Sequence, residues 1–176
     1  MQIIRTKRMM GLLIGLALIF ALSVSTSLAQ EKIKIAGKGT YTYTDRPAFK
    51  FDDTEDHVIF ISRWEGVNFS TGENKFMDGA EVVFISYGDY VKGNGPFWGY
   101  IKMSLNGDVI FSKFKGKTTT TLSPKGKPIT VFEGVISFTK GTGQFENIQG
   151  GSSFKNTMIS RTIMVSQWVG EYFIKE

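Results

Sequence analysis

Gly134-Val-Ile-Ser-Phe-Thr-Lys-Gly-Thr-Gly-Gln-Phe-Glu-Asn-Ile-Gln-Gly-Gly-Ser-Ser-Phe154 reads as a strand, a glycine-punctuated elbow and a second strand. Gly141, Gly143 and Gly150 supply the backbone breaks. Phe145 and Ile148 lie between them at helical spacing, which predicts a short helical turn over 142–148 with two apolar anchors. Outward from this elbow the periodicity is two. Phe, Tyr, Val, Ile and Thr dominate, glycines recur between the runs, and no three-to-four spacing outlasts the elbow.

Strands are expected near 32–44, 57–66, 80–91, 96–105, 108–118, 129–139, 151–160 and 162–174, at the spacing of a sandwich or barrel. Asn106-Gly107 between Leu105 and Asp108 predicts a two-residue hairpin, because a type I′ turn needs positive φ at both central positions. Asn94-Gly95-Pro96 reads as a looser turn. Asp45-Arg46-Pro47 and Asp52-Asp-Thr-Glu-Asp56 mark an acidic loop, and Leu122 to Pro128 a basic one. There is no internal repeat and no domain linker.

The two strand faces favour a barrel over a one-sided sheet, in which apolar and polar residues would alternate. Phe97, Ile101 and Met103 share one face of their strand, yet Trp98, Tyr100 and Lys102 on the other are also largely apolar. Val82-Val-Phe-Ile85 has no polar face, and Ile163 to Val169 is apolar on both. Eight strands closed on themselves leave an interior that side chains fill or that holds one small ligand. An outer wall that is also apolar points to self-association. Gly99, Gly134 and Gly170 fit sharp strand bends where a side chain would clash.

Phe132-Glu133-Gly134 to Phe154, with Gly107-Asp108 before it, resembles the allene oxide cyclase-like and dirigent-like barrels and their bacterial relatives. The shared feature is a G-T-G-x-F-x-x-x-x-G elbow followed by a strand, here Gly141-Thr142-Gly143-Gln144-Phe145 to Gly150. The resemblance covers the C-terminal half and is specific for fold rather than chemistry. It implies one all-β domain over 30–176, an eight-stranded antiparallel barrel of calycin or lipocalin-like form, often trimeric. Its apolar lumen would bind a lipid-like or phenolic molecule, or guide cyclisation or coupling of one. No position matches the cyclases' catalytic pocket or the dirigent acids, so no catalytic role is carried over.

Residue chemistry adds candidates rather than an active site. Arg63, Glu65, Trp98, Tyr100, Glu133 and Trp168 are expected to line the lumen. A carboxylate pointing into an apolar lumen would have a raised pKa and serve as proton donor or ligand anchor. The alternative for Glu133 is an outward side chain paired with Arg63, Arg161 or a lysine. His57 follows the acidic run, but a lone histidine without a spaced partner reads as a solvated strand-edge residue, not a metal ligand. The acidic loop lacks the central glycine of a calcium loop. Asn68-Phe69-Ser70 is a glycosylation sequon, meaningful only in a eukaryotic secretory pathway. Nucleophile elbow, phosphate loop and dinucleotide fingerprint are all missing. With zero cysteines there is no disulfide, thiol nucleophile or thiolate metal site. No cofactor and no metal is expected. Three functions remain in view: a non-catalytic barrel for a small apolar or aromatic molecule, an isomerase or cyclase using Glu65 or Glu133, and a structural or adhesive surface protein. If self-association occurs, a trimer is expected before a dimer.

The N-terminus sets the compartment. Arg5, Lys7 and Arg8 form a positive segment, Met9 to Leu22 is apolar, and Ser27-Leu28-Ala29 is a small-x-small cleavage site. That is the layout of a secretory signal peptide over 1–29. A retained membrane anchor is the alternative, disfavoured by the polar Ser23 to Ser27 tail. Cleavage leaves 147 residues with 18 basic against 16 acidic side chains, so the net charge falls from +5 to +2. Nucleic acid is then a poor partner, and Lys113, Lys115 and Lys117 read as one solvated strand face. No membrane contact is expected after cleavage, and the location is periplasmic or secreted. A chain of this length buries roughly 70% of its unfolded surface. N-terminal sequencing of protein from its own host is expected to begin at or within a few residues of Gln30; an intact Met1 in a membrane fraction would identify an anchor.

Overall fold

The computed structural model describes residues 30–176, and the expected signal peptide lies outside them. Among the described residues the chain is all-β, with β1 Ile33–Asp45, β2 Ala48–Lys50, β3 His57–Ser70, β4 Glu81–Val91 and β5 Gly95–Leu105. β6 Asp108–Leu122, β7 Pro128–Gly141, β8 Ile148–Met158 and β9 Ile163–Ile174 follow. The order β1-β9-β8-β7-β6-β5-β4-β3 is antiparallel throughout, and a β1–β3 pairing from Gly37↔Ser70 to Tyr43↔Trp64 closes it into an eight-stranded barrel. Closure leaves no exposed edge among the eight strands. β2 is the one element not foreseen. Where β1 leaves β3 at Asp45, the chain turns through Arg46-Pro47 and β2 resumes the same flank, pairing Ala48 with Phe60.

The turns follow from local chemistry. Asn106 (φ 51°) and Gly107 (φ 92°) both take positive φ, as expected of the β5–β6 hairpin. The β4–β5 turn falls earlier than the looser turn expected at 94–96. Lys92 (φ 52°) and Gly93 (φ 74°) make it, and Asn94 already pairs with Val91. The helical turn of the elbow is a single 3-10 turn, Gly143–Phe145, and β8 begins at Ile148 rather than 151. Thr142 fastens this elbow to β6: its backbone N–H donates to Val109 O (2.9 Å) and its hydroxyl accepts from Val109 N–H (2.9 Å).

Interior positions alternate rings with glycines. A Cβ on Gly37 would strike Trp168, one on Gly88 Tyr90, one on Gly99 Phe114, and one on Gly134 Phe154. At Gly99, Gly134 and Gly170 a Cβ would also strike a neighbouring strand's carbonyl oxygen, the clash expected there. The rings meet mostly edge to face, Phe114 with Phe84 at 5.9 Å and 89°, while Trp64 and Phe84 stack at 5.7 Å and 8°.

One barrel end is filled by the chain itself. Residues 71–80 fold across it, placing Phe76, Met77 and Ala80 at 5%, 2% and 0% exposure. The elbow adds Phe145 and Ile148 from the other side, with Phe76 edge-on to Phe145 at 5.5 Å. Phe145→Ala and Ile148→Ala are each expected to cost about 2–5 kcal/mol, the range for emptying a well-packed apolar site. Urea denaturation measures this, with Val135→Ala on the outer wall as a control expected within about 0.5 kcal/mol of the parent.

Candidate functional site

The opposite end is looser. The inward side chains Tyr43, Phe60, Phe132 and Met158 are only partly buried there. Beneath them lies a cavity of about 100 Å³. That exceeds the room one water needs, roughly 10–15 Å³ on a comparable measure. About half of its lining residues are rings, including Trp64, Phe84, Phe97, Phe114, Phe154 and Trp168. Ser62, Ser86, Ser152, Ser166 and Asn156 interrupt them. These short polar side chains stand where the strand parity points inward.

Two of these serines are already partnered. Trp64 Nε1–H donates to Ser62 Oγ at 2.8 Å, and Ser62 Oγ–H donates weakly to Ser86 Oγ at 3.4 Å. At the closed end Asn68, 1% exposed, accepts from Trp168 Nε1–H at 3.0 Å and donates to the carbonyls of Phe76 and Met77 at 3.2 and 2.8 Å. The sequon asparagine is thus the internal tie between wall and plug. Its sequence context gave no sign of this, but Phe76-Met77 within the polar 71–79 run was a readable sign that this loop turns inward. Asn156 Oδ1, at the looser end, is buried without a hydrogen-bond partner.

Among the described residues Arg46 is the only charged side chain lining the cavity. Its guanidinium carbon lies 4.2 Å from the Phe60 ring centre and 5.6 Å from that of Tyr43. Burial pushes the Tyr41 phenol up to about 12. Burial also raises that of Tyr90, against the opposing pull of the Thr118 hydroxyl and the Arg46 charge. Both phenols therefore stay protonated near neutral pH.

Of the six expected lumen residues, only Trp168 lines the cavity. The other five are corrected by strand parity. Trp98 and Tyr100 are 48% and 55% exposed because Phe97, Gly99 and Ile101 take the inward positions of β5. Arg63 and Glu65 pair with each other at 2.8 Å on the outer wall, while Ser62 and Trp64 face in. Glu133 pairs with Lys155 at 2.8 Å across the outer β7–β8 pair, one of the outward alternatives. No carboxylate lines the cavity among the described residues, so neither Glu65 nor Glu133 stands there as a proton donor.

His57 is less solvated than its sequence position suggests. Its side chain is 12% exposed, with Nδ1 2.5 Å from Asp53 and Nε2 2.8 Å from Asp89. Those bonds hold the β2–β3 loop against β4, aided by the Lys92–Glu55 ion pair at 2.6 Å. No group of three or more His, Asp or Glu side chains is arranged to hold a metal among the described residues. In comparisons with known proteins, no family profile matches the chain and no curated protein matches it in sequence.

The hydrogen bond to Asp53, then that to Asp89, raises the His57 pKa above its ordinary 6.5, with burial opposing. A raised folded-state pKa contributes stability that is complete below the unfolded value and lost as pH rises through the folded one. The parent is therefore expected to lose stability as pH climbs above about 6.5, and His57→Gln to show a flatter profile there. Thermal melts between pH 5 and 9 check this; parallel profiles would leave the clamp without energetic weight.

Proposed function

We propose that this is an exported barrel that binds a small apolar or aromatic molecule in its lumen without transforming it. The observation that carries the reading is the ring-lined cavity inside the barrel, which no carboxylate among the described residues enters. Ligand sites are typically concave and mostly apolar, with a few placed polar groups, and the serines, Asn156 and Arg46 are such groups. The isomerase alternative loses its support because Glu65 and Glu133 are engaged outside. Membership of the allene oxide cyclase-like and dirigent-like barrels belongs to the same proposal, supported by the elbow and the eight-strand closure. Export rests on the composition of residues 1–29.

The outer wall supports a second element of the proposal, self-association. Ile61, Ile85, Trp98 and Tyr100 form an exposed apolar patch across β3, β4 and β5, with Tyr87 stacked on Trp98 at 6.3 Å. Soluble monomers rarely expose large contiguous patches of this kind, and cyclic symmetry is a common way to cover one. A trimer is placed before a dimer.

One measurement addresses both. Native mass spectrometry of protein from its own host, with solvent extraction of the same sample, is expected to show a co-purifying small molecule on a multiple of the subunit mass. Empty subunits with a blank extract would reject the binding reading, and a clean single-subunit mass would reject the oligomer.

A further inference from the structure

Resting on that reading, we infer that the lumen's occupant is a compact aromatic carboxylate, about one ring in size, whose anionic group seats on Arg46 at the rim. Three observations lead there. Arg46 is the sole charge on the cavity wall, and it makes no ion pair among the described residues. Of the acids nearby in sequence, Asp53 pairs with His57 and Glu55 with Lys92, and none pairs with Arg46. Its guanidinium carbon lies over Phe60, a cation–π contact that holds the head at the rim, and the group carries paired N–H edges. Those edges match a carboxylate in a two-bond fork. One cation suits a monoanion; a phosphate dianion would call for a second cation or a nest of backbone N–H groups, and the cavity wall supplies no second charge.

The cavity sets the size of the rest. A space of about 100 Å³ is smaller than the engineered apolar cavity of about 150 Å³ that takes up benzene, so it limits the occupant to one small ring, admitted as the partly buried side chains at the open end give way. Its walls offer ring faces and edges at Phe60, Trp64, Phe84 and Phe97, where a planar occupant packs well. Asn156 lies on β8, across the barrel from β4 in the strand order. Its buried, unpartnered Oδ1 is an acceptor awaiting a donor on the occupant. A purely hydrocarbon ligand would leave this buried atom without a partner, at a desolvation cost.

The test compares 4-fluorophenylacetate with its neutral isostere 4-fluorophenylacetamide, titrated by fluorine NMR against the protein and against Arg46→Gln. Location is read separately. The chain has three tryptophans, and in Trp98→Phe the remaining two, Trp64 and Trp168, both line the lumen, so a change in indole emission reports entry. The acid is expected to bind about tenfold more tightly than the amide, the scale of one charge-assisted hydrogen bond. The ratio should fall to about one in Arg46→Gln, whose melt stays unchanged because the side chain is exposed. Both probes should perturb the indole emission. Equal affinities in the parent, with emission perturbed, would overturn the role of Arg46 and leave lumen binding intact. Equal loss of both probes in Arg46→Gln would likewise overturn it, making Arg46 a structural rim residue. Absence of binding by either probe, with silent indoles, would count against the proposal and the lumen reading together.

Discussion

Closure of the sheet is the constraint from which the rest follows. Once β1 pairs with both β9 and β3, every second side chain of eight strands enters a lumen of fixed girth. The fourteen phenylalanines, six tyrosines and three tryptophans of residues 30–176 cannot all fit inside. Several of the rings that enter do so over glycines, as Trp168 does over Gly37 and Phe114 over Gly99. The rest stand on the outer wall. Interior glycine and exposed ring are thus two consequences of one volume limit.

That limit explains what was readable in the sequence. The eight strands, the elbow and the Asn106-Gly107 hairpin are local signals, written in period, propensity and positive φ, and they appear close to where they were expected. Which face of each strand points inward is not local. A period of two says that Trp98 and Tyr100 share a face, and nothing in β5 alone says which face the barrel encloses. Glycine parity would have decided it. Gly99 shares its face with Phe97 and Ile101, Gly134 with Phe132 and Ile136, and Gly88 with Phe84 and Tyr90; the glycine face is the crowded one in all three. β2 and the inward plug at 71–80 escaped notice because tertiary closure, not propensity, places them.

The same parity divides the charges. On β3, Arg63 and Glu65 face out and satisfy each other, while Ser62, Trp64 and Asn68 face in and form hydrogen bonds without any ion. An unpaired charge in a narrow ring-lined space would be costly. The interior polar groups are accordingly small and neutral. Arg46 escapes this cost because it belongs to no barrel strand. It sits in the break between β1 and β2, with its head at the rim and a ring beneath it.

The two ends of the barrel therefore differ in kind. The elbow and residues 71–80 close one end with backbone and with the fully buried Met77 and Ile148, tied to the wall through Asn68. Opening that end would break packing and hydrogen bonds together. The other end is covered by side chains, Tyr43, Phe60, Arg46 and Met158, which can change rotamer without unfolding a strand. Nearby, the His57 clamp holds the β2–β3 loop against β4. Since β2 follows directly from Arg46-Pro47 and pairs with β3, fixing that loop also fixes the segment from which Arg46 reaches the rim. Small molecules would enter at the end where motion is cheap, past the single cation.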